Sequence, residues 1–117
     1  MKIFVPRERE GGETRVAASP DTVKKLVGLG ATVTVESGAG DASRIPDAAF
    51  EAAGASIGST EDAAQAEVVL KVRRPSAGEA TSYPRGAVVV AIMDPYGNEG
   101  DVETMAKAGL TAFAMEF

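Results

Sequence analysis

The 117 residues contain no cysteine and no histidine. Without cysteine there is no disulfide framework and no thiolate metal site, which fits a reducing compartment. Without histidine, imidazole is excluded both as a metal ligand and as a general base near neutral pH. Long apolar runs are missing too. The longest, Ala87 to Met93, falls far short of the roughly 20 residues that span a bilayer. The opening Met1-Lys2-Ile3-Phe4-Val5-Pro6 is broken by proline too early to read as a signal peptide. Basic excess is also absent. Twelve Lys and Arg against 17 Asp and Glu give a net charge of −5, which argues against a nucleic-acid partner. No acid pair stands out as a glycosidase or metal site, and the four methionines are scattered as gap-fillers.

What is present alternates between strand and helix patterns. Lys2 to Val5 reads as a buried strand. Ser19-Pro20-Asp21 has the form of a helix start, with a capping serine, proline in the first turn and an acid behind it. Val23, Leu26 and Val27 give that helix its apolar stripe, and Gly28 and Gly30 end it. Thr32 to Glu36 is rich in β-branched residues and predicts a second strand. A loop over Ser37 to Ile45, a short helix over Asp47 to Ala53, a brief strand at Ala55 to Ile57 and another short helix opening at Ser59 follow. Glu67 to Val72 and Ala87 to Ile92 are apolar strands of the kind covered on both faces. Between them Arg73 to Arg85 reads as the longest irregular stretch, a wall or lid for a pocket. A helix over about Glu99 to Ala108, capped by Asn98 and facing inward with Val102, Met105 and Ala106, precedes a last strand at Leu110 to Ala114.

This order predicts an α/β fold: a three-layer α/β/α arrangement around a mainly parallel open sheet of five or six strands, Rossmann-like or flavodoxin-like. Residues 1–117 are expected to form a single N-terminal domain of a larger protein, because the chain stops at Phe117 directly after a strand. Ligands of such sheets bind at the carboxyl ends of the strands. Two runs leave strands at that edge: Pro6-Arg7-Glu8 with Glu13-Thr14-Arg15-Val16-Ala17, and Val69-Leu70-Lys71-Val72-Arg73-Arg74-Pro75. They place Arg15 and Lys71 there, a pair suited to an anionic small molecule. Arg15 has a plainer reading, pairing with Glu8, Glu10 or Glu13 in its own loop. A lysine ending an apolar strand is costly unless it is paired or lies at an opening. Glu8 is expected to hold Arg15 or a backbone amide, and Arg73 and Arg74 to be solvated. Gly38-Ala39-Gly40 carries only part of a dinucleotide fingerprint and follows the second strand, so it is weak as a phosphate site.

Pro6-Arg7-Glu8, Glu13-Thr14-Arg15-Val16-Ala17, Ser19-Pro20, Val35-Glu36-Ser37-Gly38-Ala39-Gly40, Ala52-Ala53-Gly54-Ala55, Val69-Leu70-Lys71-Val72 and Ala112-Phe113-Ala114-Met115-Glu116 together resemble the N-terminal domain shared by alanine dehydrogenase and the alpha subunit of proton-translocating NAD(P) transhydrogenase. The resemblance covers the whole chain; Arg7 stands where the family usually has Lys. In the alanine dehydrogenase branch it implies that Arg15 and Lys71 hold a keto acid, and that a histidine just after the strand matching Ala87–Ile92 is the acid/base. Here that stretch reads Met93-Asp94-Pro95-Tyr96-Gly97-Asn98. Asp94 can replace histidine only if burial raises its pKa strongly.

Hydride transfer between two nicotinamides needs no such group, so the resemblance favours the transhydrogenase branch. It implies NAD bound mainly by a following domain, no catalytic or cofactor-binding residue and no metal in this chain, and no activity of the chain alone. It also implies a parent homodimer with membrane and NADP-binding partner subunits, in the cytoplasm and peripheral to the inner membrane. The alternatives are the substrate domain of an amino-acid dehydrogenase of the alanine or saccharopine type, and a non-enzymatic flavodoxin-like binding module.

Overall fold

The computed structural model describes residues 1–9, 12–92 and 99–114. Its strands are β1 (Lys2–Val5), β2 (Thr32–Glu36), β3 (Ser56–Gly58), β4 (Val68–Arg73), β5 (Val88–Ile92) and β6 (Thr111–Ala114). Its helices are α1 (Pro20–Gly28), α2 (Asp47–Ala52), α3 (Ala77–Ser82) and α4 (Glu99–Lys107), with short 3-10 helices at Asp41–Ser43 and Thr60–Gln65.

Local chemistry accounts for most of these boundaries. Ser19 caps α1 by accepting a hydrogen bond from the Thr22 amide at 3.2 Å, and Pro20 opens the helix. Gly30, at φ +97°, takes the left-handed conformation that lets the chain turn back into β2. The strands β1, β2, β4 and β5 are built largely from Ile, Phe and Val, whose branched or aromatic side chains suit a pleated surface covered by helices.

The sheet runs β3-β2-β1-β4-β5-β6, and every pairing is parallel. The expected three-layer parallel architecture is what the chain forms. Of the two doubly wound arrangements, the order is that of dinucleotide-binding sheets and not the flavodoxin order. β1 is central, with Ile3 facing Val33 of β2 on one side and Val68 of β4 on the other.

Alternate residues of the strands supply two cores. Ile3, Val5, Val33 and Val35 pack with Val23 of α1 and Phe50 of α2 on one face. Phe4, Val69, Val89 and Ala91 pack with Ala63, Ala80, Tyr83 and Met105 on the other, under Thr60–Gln65, α3 and α4.

Two expectations need correction. Residues 73–85 are not an irregular lid: α3 lies inside them. Ser76 and Glu79 form a capping box, the Ser76 Oγ accepting from the Glu79 amide at 3.2 Å and the Glu79 carboxylate from the Ser76 amide at 3.0 Å. In α4, Met105 is buried but Ala106 faces solvent. The Asn98 cap falls outside the described residues.

The loop after β2 is tightly built. Asp47 accepts from the Ser37 hydroxyl at 2.8 Å and the Gly38 amide at 3.0 Å. A Cβ on Gly40 would lie 2.5 Å from the Ile45 carbonyl oxygen and 2.8 Å from the Phe50 ring. Gly40→Ala is therefore expected to destabilise the fold by about 1–3 kcal/mol through overpacking. Urea unfolding measures this as a lower midpoint at unchanged slope; an unmoved midpoint contradicts the packing.

Candidate functional site

β1 and β4 are neighbours whose following segments leave toward opposite faces of the sheet, α1 on one and α3 on the other. That is the switch point, where an open α/β sheet has a crevice at its carboxyl edge. Charged groups crowd this edge. Most are held by one another.

Lys71 is 2% exposed. Its ammonium lies 3.4 Å from a Glu8 oxygen and 3.2 Å from a Glu79 oxygen. The Glu8 side chain is equally buried, and its two oxygens also accept from the backbone amides of Val72 at 3.1 Å and Arg73 at 3.0 Å. One carboxylate thus clasps the segment after β1 onto the end of β4 and also neutralises the lysine between them. The second carboxylate, Glu79, ties Lys71 to the first turn of α3.

Arg15 lies at the rim, its side chain 58% exposed. It grips Glu13 with two donors at 2.9 Å each, and its own amide donates to the same carboxylate. Glu13 also accepts from the Arg73 guanidinium at 2.9 Å. Arg15 lines a cleft of about 120 Å³ with Arg7, Glu8, Glu13 and Thr14 from its own loop and Gly38, Ala39, Asp41 and Ala42 from the loop after β2. Arg15 and Lys71 therefore share one end of the sheet, linked through Glu8, Glu13 and Arg73. Lys71 is sealed behind Glu8, while Arg15 faces the opening. Arg73, read as solvated, is held by Glu13. Asp94 falls outside the described residues.

A second ion pair was invisible in the sequence. Glu36, at the end of β2, is 6% exposed. The guanidinium of Arg9 binds both of its oxygens, the Arg7 amide donates to it at 3.0 Å and the Thr60 hydroxyl at 3.2 Å. Burial pushes this carboxyl up, and the donors from Arg9, Arg7 and Thr60 more than offset it, so its pKa lies below the ordinary value. Glu13 is held well below the usual carboxylate range, first by the Arg15 side chain and next by the Arg15 amide.

Both shifts have one sign. A carboxyl whose folded pKa is depressed adds stability above its unfolded value near 4.5, and that stability is lost as pH falls toward the folded value. Urea midpoints are expected to hold steady above pH 5 and to fall below about pH 4. Glu13→Gln is expected to flatten that acid limb. A limb equally steep in the variant removes Glu13 from the account.

No described helix is long and apolar enough to cross a membrane. Among the described residues no group of three His, Cys, Asp or Glu is placed to hold a metal ion. The turn Gly38-Ala39-Gly40 leads into a three-residue 3-10 helix, and Gly40 is packed against Ile45 and Phe50. This is not a phosphate cradle. The loop after β1, where a dinucleotide fingerprint belongs, begins Pro6-Arg7-Glu8. Among the described residues the Gly38-Ala39-Gly40 turn does not fit a dinucleotide pyrophosphate.

Residues 4–117 match the family described as alanine dehydrogenase/PNT, N-terminal domain. The chain belongs to this family. Over 123 aligned residues it is 50% identical to an NAD(P) transhydrogenase alpha-subunit polypeptide of Rhodospirillum rubrum, covering 99% of this chain and 32% of that protein. The crystal structure of transhydrogenase from Sinorhizobium meliloti superposes with a TM-score of 0.97 at 57% identity, over 99% of this chain and 35% of that one. The alanine dehydrogenase of Mycobacterium tuberculosis is 33% identical over 99% of this chain and 32% of its own length. Within the alanine dehydrogenase/PNT family the chain thus stands nearer to these two transhydrogenases than to that dehydrogenase. It spans about a third of the length of these two curated relatives.

Proposed function

We propose that this chain is the N-terminal part, a single domain over residues 1–117, of the NAD(H)-binding alpha subunit of a proton-translocating NAD(P) transhydrogenase. The observation that carries this reading is the absence of histidine from a chain so similar to a transhydrogenase alpha subunit. A domain that only helps to enclose a hydride transfer between two nicotinamides has no substrate oxygen or imine to protonate. NAD is held by the following domain, and its nicotinamide supplies the hydride when bound. The residues of this chain form one wall of the cleft. Glu8, Lys71 and Glu79 fix the ends of β1 and β4 and the start of α3 relative to one another. Arg15 and Arg73, locked on Glu13, present a rigid cationic lip.

The parent acts as a homodimer with membrane and NADP-binding subunits, in the cytoplasm and peripheral to the inner membrane. The parent subunit, mixed with its NADP-binding partner, is expected to pass hydride from NADH to an NADP⁺ analogue, followed by absorbance. A parent that binds NADH but transfers no hydride contradicts the reading. The 117 residues alone are expected to bind NADH with a dissociation constant far above the micromolar range by calorimetry. Low-micromolar binding overturns the assignment of the cofactor to the next domain.

The second reading is the substrate domain of an amino-acid dehydrogenase. The observation that favours it is the exposed Arg15 guanidinium in its cleft, 7 residues beyond the glutamate that holds Lys71.

A further inference from the structure

On the face of the sheet opposite the Arg15 cleft, the switch-point crevice opens into a separate cavity of about 220 Å³. Phe4, Pro6, Ala63 and Tyr83 line it together with the polar Thr60, Glu79 and Ser82. Arg9, paired with Glu36, closes its rim. Tyr83 is 6% exposed. Its hydroxyl forms no hydrogen bond with any described residue and is not sealed in the core, and Tyr83 is one of the residues lining the cavity. A buried tyrosine hydroxyl usually finds a partner. This one has an apolar body in the core and a free polar tip at a hollow.

We infer that this cavity is a binding site for an uncharged six-membered aromatic ring bearing one hydrogen-bonding substituent, which Tyr83 receives. Size argues for the ring: an apolar cavity of about 150 Å³ already holds benzene. Chemistry argues for a single polar substituent, since Thr60, Glu79 and Ser82, which also line the cavity, are already hydrogen-bonded within the chain, while the Tyr83 hydroxyl bonds no described residue. Charge argues against an anion. The carboxylates of Glu79, Glu8 and Glu36 act on Tyr83 against the guanidinium of Arg9, which Glu36 already neutralises. Burial, more than these charges, pushes the Tyr83 pKa up, so the hydroxyl stays protonated and able to donate. Glu8 and Glu79 also serve Lys71, but neither Tyr83 nor Ala63, the residues varied in the test, belongs to that cluster or to the ion pairs of Arg15.

Saturation-transfer NMR on the full-length protein tests it, with phenol as the probe and benzoate as its charged counterpart. Phenol is expected to bind in the millimolar range, benzoate at least tenfold more weakly. Tyr83→Phe is expected to weaken phenol binding by roughly threefold to tenfold, the worth of one hydrogen bond. Ala63→Leu, which adds bulk to the lining, is expected to abolish it. If Ala63→Leu fails to fold, Tyr83→Phe alone decides. No phenol binding to the unmodified protein, benzoate binding as tight as phenol, or phenol affinity unchanged in Tyr83→Phe overturns the site. Hydride transfer by the parent is measured separately, so failure here leaves that reading untouched, and the reverse.

Discussion

Glu8→Ala is expected to cost the fold about 3–5 kcal/mol. The reason is that one side chain meets three needs. It neutralises a fully buried ammonium, and it satisfies two backbone amides at the end of β4. Removing it leaves Lys71 with Glu79 alone and both amides without their acceptor. In a domain of this size the change corresponds to a fall in melting temperature of roughly 10 °C or more.

Lys71→Met is also expected to destabilise, because Glu8 then remains buried with amide donors but no counter-ion. The double variant is the informative one. Both ions leave together, so its loss is expected to fall short of the sum of the singles by about 1–3 kcal/mol. Additive losses would mean that Glu8 acts only as a backbone clasp and that the ion pair contributes nothing.

L-Alanine oxidation by the parent enzyme is expected to be at least a hundredfold slower than its hydride transfer between nicotinamides. Positioned acid–base help is worth roughly two to four orders of magnitude in rate, and this chain offers no imidazole to provide it. The stretch after β5 reads Met93-Asp94, and an ordinary aspartate is fully ionised near neutral pH. Met93→His or Asp94→His is expected to raise alanine turnover, provided that Arg15 still presents its free donors to a carboxylate. Coupled measurement of NADH production from L-alanine checks both outcomes. Robust oxidation by the unmodified parent would move the chain to the dehydrogenase branch and remove the membrane partner with it.

The strands were legible because their signal is local. Runs such as Lys2–Val5, Thr32–Glu36 and Ala87–Ile92 carry their own pattern, and Ser19-Pro20 announces α1 in consecutive residues. The helix α3 was not legible in the same way, although its capping box spans only Ser76-Ala77-Gly78-Glu79. Pro75, Gly78 and Pro84 pull the local pattern toward a loop, and a single short helix buries too little to show an apolar stripe.

The site was legible in its cations and not in its partners. Arg15 and Lys71 stand out by position. That Lys71 meets Glu8, 63 residues earlier, or that Arg9 meets Glu36, depends on which strands lie side by side, and no window of sequence contains that. Tyr83 has no local signal at all. Its isolation in a cavity is a property of the assembled layers.

The central place of β1 also sets a schedule. During synthesis Ile3, Phe4 and Val5 leave the ribosome before their neighbours, which lie at Val33 to Val35 and at Val68 and Val69. At about 5–20 residues per second the second neighbour arrives roughly 3–13 seconds later. For that interval the most hydrophobic stretch of the first segment has nothing to pair with on one side. The charged stretch Arg7 to Glu13 follows this waiting strand directly, and its Glu8 becomes the clasp once β4 arrives.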